Sequence, residues 1–426
     1  MPDGSATSHQ LWPKLATTLR EGYRLDAFRR DAVAALTVAI VALPLSMAIA
    51  VASGVSPARG LYAAIVGGFV VSALGGSRFQ IGGPAGAFIV LVAATVARFG
   101  VEGLLLTVLL SGLMLTVLGA LRLGGLVRHI PHAVTVGFTA GIAITILASQ
   151  LKDLAGLRLA APEPGPMLPK LVALAQALPT VSPAALGLGL GCVATIFVLK
   201  LLRPTWPGML IAVVGASAAA AFFHLPVATI ASRFGELPHG LPAPRFPTIS
   251  LPLVMQVLPT ALSFTLLGAI ESLLSAKVAD GMTARKHRSN MELVAQGVAN
   301  IASALFGGVS VTGTIARTAT NVRAGARSPV AGMLHAAFLL LFLLLAAPLA
   351  GFVPLSALAG VLIVVSWTMA EKAEVVRLLR NWRTGTVLAT TLGLTLAKDL
   401  TFGITAGCLV ATVLWLAHRA VPEEGV

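Results

Sequence analysis

The sequence predicts an all-helical polytopic membrane protein, and three observations carry that prediction. Of the 426 residues, 57% are hydrophobic and only 11% are charged, whereas a soluble domain has about 25% charged residues. The mean hydropathy is +0.91. Apolar runs near the length of about 20 residues needed to cross a bilayer recur along the whole chain. Because so few charged residues cannot cover a water-soluble body, a soluble multidomain enzyme is excluded.

Fourteen apolar runs define the predicted spans. Three of them, 84–97, 313–322 and 385–397, are too short to cross a bilayer alone. An even number of spans places both termini on the same side of the membrane. The runs lie near 32–53, 60–76, 84–97, 102–121, 132–151, 182–201, 206–223, 252–276, 291–308, 313–322, 329–350, 354–369, 385–397 and 400–417.

The positive charges indicate the orientation. The net charge is +14; with a cytoplasmic N-terminus, 21 of the 30 Lys and Arg fall in cytoplasmic segments, eight fall outside and one lies within a span. This bias follows the positive-inside rule. Residues 1–30 are predicted to be a cytoplasmic amphipathic lead-in, and 370–384 an amphipathic helix on the same face. We therefore expect a multi-pass protein of the cytoplasmic (inner) membrane with both termini cytoplasmic, in contact with lipid and not with nucleic acid.

An internal repeat divides the chain. Residues 72–76 read SALGG and 303–308 read SALFGG, and each precedes a short apolar segment broken by Gly or Thr. Seven predicted spans precede residue 240 and seven follow it, so the second copy is inverted. The predicted organisation is a first repeat over 31–223, an extracellular connection over 224–251, a second repeat over 252–420 and a C-terminal stub over 421–426.

Short, interrupted spans at matching positions of two inverted repeats point to a transporter's binding site. A helix that begins within the membrane leaves backbone N–H groups unpaired at its positive end, and lipid cannot satisfy them. Two such ends meeting from opposite sides favour an anion site. A pair of kinked helices without a ligand is the alternative.

Two charged residues, Arg317 and Glu271, fall within predicted spans rather than at their ends. Each costs at least about 2.5–3.5 kcal/mol on insertion scales, so such residues usually face a cavity or a partner. Arg317 either supplies a fixed positive charge to an anion or snorkels to the cytoplasmic interface near Arg323. Glu271 exchanges a proton during transport or helps to bind Na⁺. The structural alternative is a static ion pair with Arg317 or Lys277, or hydrogen bonds to a broken helix.

Several other patterns do not predict chemistry. GVSVTG at 308–313 misses the serine-hydrolase GxSxG spacing by one residue, and no acidic cluster accompanies His129 and His132. Cys192 and Cys408 both lie in apolar runs, so neither a disulfide nor a CxxC metal site is expected. We expect a protein that is not an enzyme and that binds no cofactor or metal.

Several long motifs resemble the sulfate permease (SulP) family of anion transporters. Residues 31–64 read D…TVAIVALPLSMAIAVASGVSPARGLYAA, followed by GGSR at 75–78 and GGP at 82–84. Three further stretches, 118–151, 292–329 and 354–364, are similar to later spans of the family. The resemblance covers about residues 30–420.

The resemblance implies fourteen transmembrane segments in two inverted seven-span repeats, as in the uracil transporter, with core and gate domains and half-helices at spans 3 and 10. It places a small anion between the third and tenth spans, with side chains from the first and eighth spans, and Glu271 is the acidic residue of the eighth span. We expect Glu271 to be the coupling residue. The implied substrate-site residues, including those of the two broken spans, are Leu45, Ile49, Gly83, Pro84, Ala85, Thr312, Gly313, Thr314, Ala316 and Arg317.

The chain departs from the family pattern at the site. Leu45 stands where the family often has Gln, and Ala316 stands where Ser is common. These changes leave more of the binding to backbone N–H groups and Arg317. Family members usually carry a STAS domain after the last span, but only about seven residues follow Arg419, so we expect that domain to be missing.

We expect a secondary active transporter of small anions of the sulfate, bicarbonate or dicarboxylate class. Alternating access with proton-coupled symport is the leading expectation, and a homodimer is a further one. The alternatives are a Na⁺-coupled bicarbonate transporter and a nucleobase permease on the same fold.

Overall fold

The computed structural model is a helical membrane protein, and it describes residues 11–125, 131–161, 163–164, 167–204, 206–398 and 400–420. The predicted stub at 421–426, the first ten residues of the lead-in and His129 lie outside these residues. Apolar sequence forms helices here because a helix satisfies its own backbone hydrogen bonds, which lipid cannot do.

The first half of the chain contains nine helices and one very short strand among the described residues. A π-helix, Ala63–Gly67, joins two of these helices, and 3-10 turns occupy Gly86–Phe88 and Leu178–Thr180. The elements are α1 (Lys14–Arg20), α2 (Leu25–Ala52), α3 (Pro57–Tyr62), α4 (Gly68–Leu74), β1 (Gly82–Gly83), α5 (Ile89–Ala120), α6 (His132–Leu154), α7 (Met167–Ala177), α8 (Pro183–Leu202) and α9 (Gly208–Phe222).

The second half contains ten helices and a second two-residue strand among the described residues. The elements are α10 (Ile230–Phe234), α11 (Leu251–Thr283), α12 (Ser289–Leu305), β2 (Thr312–Gly313), α13 (Ile315–Arg323), α14 (Val330–Leu345), α15 (Ala347–Ala350), α16 (Leu355–Met369), α17 (Lys372–Leu379), α18 (Trp382–Ala397) and α19 (Leu400–Ala420).

Most predicted spans coincide with a helix, and the departures have physical reasons. The predicted spans 84–97 and 102–121 form one long element that bends at Gly100, where φ is +68°. Glycine adopts this backbone conformation without the steric cost of a Cβ. The predicted connection at 224–251 is not a simple loop, because it contains α10, and a further helix, α7, lies between α6 and α8.

Seven helices among the described residues are long and apolar enough to cross a membrane alone. Further apolar helices of 10–17 residues, among them α9 and α14, fall below that length. The fold is therefore a multi-pass helical one, whereas the count of fourteen spans and the inverted symmetry of the two repeats stay predictions.

The helices pack in two groups. The first group contains α2 to α5 and α11 to α14, and the second contains α6, α8, α9, α16, α18 and α19. Contacts of α2 with α9 and α16 join the groups. Each group draws helices from both halves of the chain, so neither half folds as a separate body. The core and gate domains implied by the family resemblance stay a prediction.

The N-terminal helix α1 lies against the first group. The Lys14 backbone N–H donates to the Gly75 carbonyl (2.9 Å), and Arg288 donates through Nη1 to the Trp12 carbonyl (2.9 Å) and to Thr17 Oγ1 (3.0 Å). These contacts hold α1 near the end of α4 and the start of α12.

Candidate functional site

The two broken spans meet through their strands. β1 and β2 pair antiparallel, with Gly82 opposite Gly313 and Gly83 opposite Thr312. The Thr314 N–H extends the pairing by donating to the Ile81 carbonyl (3.2 Å). Because lipid cannot satisfy exposed backbone groups, the pair lets each interrupted segment complete the hydrogen bonds of the other. These strands are not among the elements predicted from the sequence.

Each strand leads directly into a helical segment that has no side-chain cap. The segment after β1 begins at Gly86, and the helix after β2 begins at Ile315. Neither has an acidic residue in its first turn. The backbone N–H groups of Gly86, Ala87, Ile315 and Ala316 have no hydrogen-bond partner among the described residues. The two positive helix ends thus lie beside one strand pair, which is an arrangement that favours an anion.

Arg317 connects the two segments. Its side chain is buried, at 1% exposure, and Nη2 donates to the Pro84 carbonyl (2.5 Å). The guanidinium lies against Gly83, where an added Cβ would be 2.0 Å from Nη1. Within the described residues, Nε and Nη1 have no hydrogen-bond partner, and no ion pair includes Arg317. Its burial disagrees with the alternative of an Arg that snorkels to the interface.

Thr314 stands at the cap position of α13, yet it does not cap the helix. Its Oγ1 is buried and has no hydrogen-bond partner among the residues described. Thr312 is also buried, and its Oγ1 donates to the Gly268 carbonyl (3.3 Å). An added Cβ at Gly313 would be 1.8 Å from the Gln80 side-chain nitrogen. Thr314 therefore keeps a free hydroxyl beside the unpaired N–H groups of the α13 end.

The other predicted residues form apolar surroundings. Leu45 and Ile49 lie one turn apart on α2, and both are buried in the same apolar cluster as Ala85. Ala316, by contrast, is exposed at the start of α13. These four apolar side chains offer no hydrogen-bond donor, which leaves that role to Arg317, Thr314 and the backbone N–H groups described above.

Glu271 lies on α11, next to the residues that support β1. Its side chain is partly exposed. In the described part of the chain it forms no ion pair with Arg317 or with Lys277. The static ion pair considered from the sequence is thus not present. The neighbouring Ser272 accepts a hydrogen bond from the Gln80 amide (2.8 Å), which links this part of α11 to the segment entering β1.

One polar face of α12 supports the second strand. Gln296 and Asn300 each donate a side-chain amide N–H to the Val311 carbonyl (both 2.8 Å), and the Val311 N–H donates to Asn300 Oδ1 (2.9 Å). One helical turn earlier, Glu292 Oε2 accepts from the Ser77 N–H (2.9 Å). None of these three α12 residues was predicted as a site residue, although their spacing of four residues is a signal in the sequence that could have identified this face.

The first strand is supported by α13. Thr318 Oγ1 accepts from the Ile81 N–H (3.2 Å), and the Asn321 amide donates to the Phe79 carbonyl (2.9 Å). The segment that enters β1 is therefore held by α13, from the second half of the chain. The segment that enters β2 is held by α12, the helix that precedes it in the chain.

His132, one of the two histidines considered from the sequence, lies beside a carboxylate. His132 Nε2 lies 2.8 Å from a carboxylate oxygen of Glu374 at the start of α17. No group of three or more His, Cys, Asp or Glu that could hold a metal is found among the described residues.

The comparisons with known proteins agree with this fold. The model of the sulfate permease family matches residues 28–391. The chain is 42% identical over 402 residues to YvdB of Bacillus subtilis (strain 168), which carries a provisional sulfate-transporter name, covering 94% of this chain and 76% of YvdB. It is 31% identical over 407 residues to the bicarbonate transporter BicA of a Picosynechococcus species, covering 92% and 71% of the two chains.

Two solved structures share the fold of this chain. The transmembrane domain of a cyanobacterial BicA superimposes with a TM-score of 0.78 at 28% identity, covering 94% of this chain and all of that chain. SLC26A9 shares the fold, with a TM-score of 0.88 at 18% identity, covering 97% of this chain and 69% of that chain. The relatives whose names state a role, YvdB and BicA, are named as transporters. This agrees with the expectation that the protein is not an enzyme. The chain belongs to the sulfate permease family.

Proposed function

We propose that this protein is a secondary active transporter of small anions that binds its substrate between the two uncapped helix ends. The named roles of its relatives, provisional sulfate transport for YvdB and bicarbonate transport for BicA, support this class of substrate. The site itself supports it more directly through Arg317.

The observation that carries the proposal is a buried cation without an acidic partner. Arg317 has one hydrogen bond, to an uncharged carbonyl, and two of its nitrogens have no partner among the described residues. An unpaired buried charge is costly, and it becomes favourable only when an opposite charge compensates it. A protein carboxylate would cancel Arg317 permanently, whereas a transported anion compensates it only while bound.

The donor set suits a compact oxyanion. The unpaired backbone N–H groups at the two helix ends, the Thr314 hydroxyl and the guanidinium can together donate to several acceptor oxygens. Sulfate, bicarbonate and small dicarboxylates carry such acceptors, whereas a neutral nucleobase does not use a fixed positive charge. The scarcity of side-chain donors leaves the choice among these anions open to experiment.

We propose Glu271 as the group that couples transport to protons. A carboxylate in a spanning helix, partly exposed and without an ion pair in the described residues, is free to change its protonation state. Its neighbour Ser272 connects through Gln80 to the segment that enters β1. Protonation of Glu271 would in this way affect the strand pair, and alternating access would follow from movement of one helix group against the other.

The Lys and Arg distribution supports placing the protein in a cytoplasmic (inner) membrane with both termini cytoplasmic. The homodimer stays a prediction.

The test is uptake into proteoliposomes with sulfate, bicarbonate, chloride, oxalate, fumarate, succinate and uracil as separate substrates. Wild-type protein should take up at least one oxyanion and no uracil. Arg317→Gln should lower the apparent affinity for that anion about 10- to 150-fold, because a hydrogen bond to a charged group contributes about 1.5–3 kcal/mol.

Arg323→Gln is the matched control, since Arg323 is the exposed basic residue at the other end of α13. It should leave uptake unchanged. Equal uptake by Arg317→Gln and wild type would contradict the anion site, and uptake of uracil alone would favour the nucleobase permease.

A further inference from the structure

A polar cavity lies on the face of the protein opposite to α1, which is the predicted extracellular face. It has a volume of about 300 Å³, is partly open, and is lined by the connection between the two halves and by the ends of α3 and α12. The strand pair described above does not line it. Its lining includes four polar side chains that can bind a ligand: Arg59, Tyr62, Glu102 and Arg245.

The two arginines are held in place, but their charges are not paired. Arg59 donates through Nη1 to the Gly307 carbonyl (2.7 Å), and the Arg245 backbone N–H donates to the Leu305 carbonyl (2.8 Å). No ion pair among the described residues includes either arginine. The structure therefore fixes the Arg59 guanidinium and the Arg245 backbone, while most of the guanidinium N–H groups stay available to the cavity.

The remaining two groups define what the cavity can bind. Tyr62 is only 7% exposed, and in the described part of the chain its hydroxyl has no hydrogen-bond partner. Glu102 is the one carboxylate in the lining, and its Oε2 accepts from the Thr248 N–H (3.1 Å) and lies 3.4 Å from Thr248 Oγ1. Two guanidinium groups and a phenol thus face one carboxylate, which leaves an excess of one positive charge.

The size of the cavity fits a small hydrated anion. A water occupies about 30 Å³ in the liquid, so the cavity holds a compact oxyanion together with several waters. Guanidinium groups bind oxyanions through paired N–H donors.

The cavity and the proposed transport site share the same two chain segments. Tyr62 is followed directly by the π-helix that ends at Gly67, and an added Cβ at Gly67 would be 2.4 Å from Val311. Gly307 lines the cavity and lies five residues before Thr312 of β2. Five extended residues span at most about 17 Å, so an anion in the cavity would be close to the helix ends.

We propose that this cavity is an external capture site that holds a small oxyanion through Arg59, Arg245 and Tyr62 before it enters the transport site. The substrate class rests on the proposed function. A purely structural role accounts for the Arg59 bond to Gly307, but it leaves the Arg245 guanidinium and the Tyr62 hydroxyl without a purpose.

The first experiment measures initial rates of sulfate uptake in right-side-out membrane vesicles as a function of external sulfate. Arg245→Gln should raise KM about tenfold, with Vmax changed by less than about twofold. Arg158→Gln is the control, because Arg158 is an exposed arginine of the same predicted face that does not line the cavity. Equal KM values in wild type and Arg245→Gln, or equal effects of both substitutions, would overturn the proposal.

The second experiment does not depend on transport. Phenylglyoxal modifies accessible arginines, and peptide mass spectrometry reports the extent at each position. External sulfate should protect Arg59 and Arg245 but not Arg158 in the purified protein. Modification of all three that is unaffected by sulfate would overturn the capture site. Protection without any sulfate uptake would support the cavity and count against sulfate as the transported anion.

Discussion

Gly83→Ala tests whether the position of Arg317 determines anion affinity. The new Cβ would stand 2.0 Å from Arg317 Nη1 and 3.1 Å from Cζ, whereas an ordinary contact begins at 3.4 Å. The guanidinium must therefore withdraw by about 1.4 Å. Because the side chain is flexible at this end, the movement costs little by itself, but it changes the contacts of the charged group.

The effect on binding follows from the hydrogen bond that Arg317 would donate to the anion. A withdrawal of that size lengthens the Nη2 to Pro84 carbonyl distance from 2.5 Å to beyond hydrogen-bond range, so the guanidinium no longer holds its position at the site. Loss of its hydrogen bond to the anion, which is worth about 1.5–3 kcal/mol, should lower the apparent anion affinity about tenfold or more. Gly83 also has φ of +156°, so alanine there adds backbone strain of about 1–3 kcal/mol, and thermal stability should fall as well.

A double-mutant cycle separates these effects. Initial uptake rates into proteoliposomes give KM for wild type, Gly83→Ala, Arg317→Gln and the double variant. Gly83→Ala should raise KM in the wild-type background and add little when Arg317 is already Gln, because coupled residues are not additive. Gly187→Ala is the control, since its Cβ would meet nothing within 4 Å. An equal rise in KM in both backgrounds would refute the reasoning.

Two further predictions concern protonation. Glu271→Gln should abolish uphill uptake driven by a pH gradient while downhill exchange persists, because the amide cannot carry the proton; a liposome assay with imposed pH or Na⁺ gradients measures this. Burial, together with repulsion from Arg288 and Arg78, lowers the pKa of Lys14 from 10.5 to about 8. The unfolded chain therefore binds more protons between pH 8 and 10.5, so thermal stability should rise with pH in that window in wild type relative to Lys14→Met.

Each of these has a clear contrary result. Uphill uptake by Glu271→Gln under a pH gradient would exclude Glu271 as the coupling group, and accumulation driven by Na⁺ alone would favour the Na⁺-coupled alternative. A difference in melting temperature between wild type and Lys14→Met that stays constant from pH 7 to 10.5 would contradict the lowered pKa of Lys14.

The broken spans could be predicted from the sequence to within a few residues. The predicted starts at 84 and 313 compare with helical starts at Gly86 and Ile315. These positions are readable because Gly and Pro interrupt an apolar run locally, and an interrupted helix has few alternatives in a membrane. The resemblance to the sulfate permease family pointed to the same segments, and the family match confirmed the membership.

The supporting contacts could not be predicted in the same way. Gln296 and Asn300 bond the strand that follows their own helix, whereas Gln80 reaches Ser272, 192 residues away in sequence. Polar residues spaced four apart on a helix are equally compatible with a face that points to water and with a buried face. Only the packing of α12 against the other helices of the first group shows that this face is buried.

The sequence by itself determined the membrane environment, the two interrupted spans and the presence of one intramembrane arginine. Hydropathy, charge distribution and Gly or Pro interruptions are local properties, so a single chain displays them directly. The tertiary structure decided that Gly82 and Gly313 pair, that Arg317 donates to the Pro84 carbonyl and that no acidic side chain among the described residues neutralises it. Those features join segments more than 200 residues apart, and their energies depend on distances that only the folded chain sets.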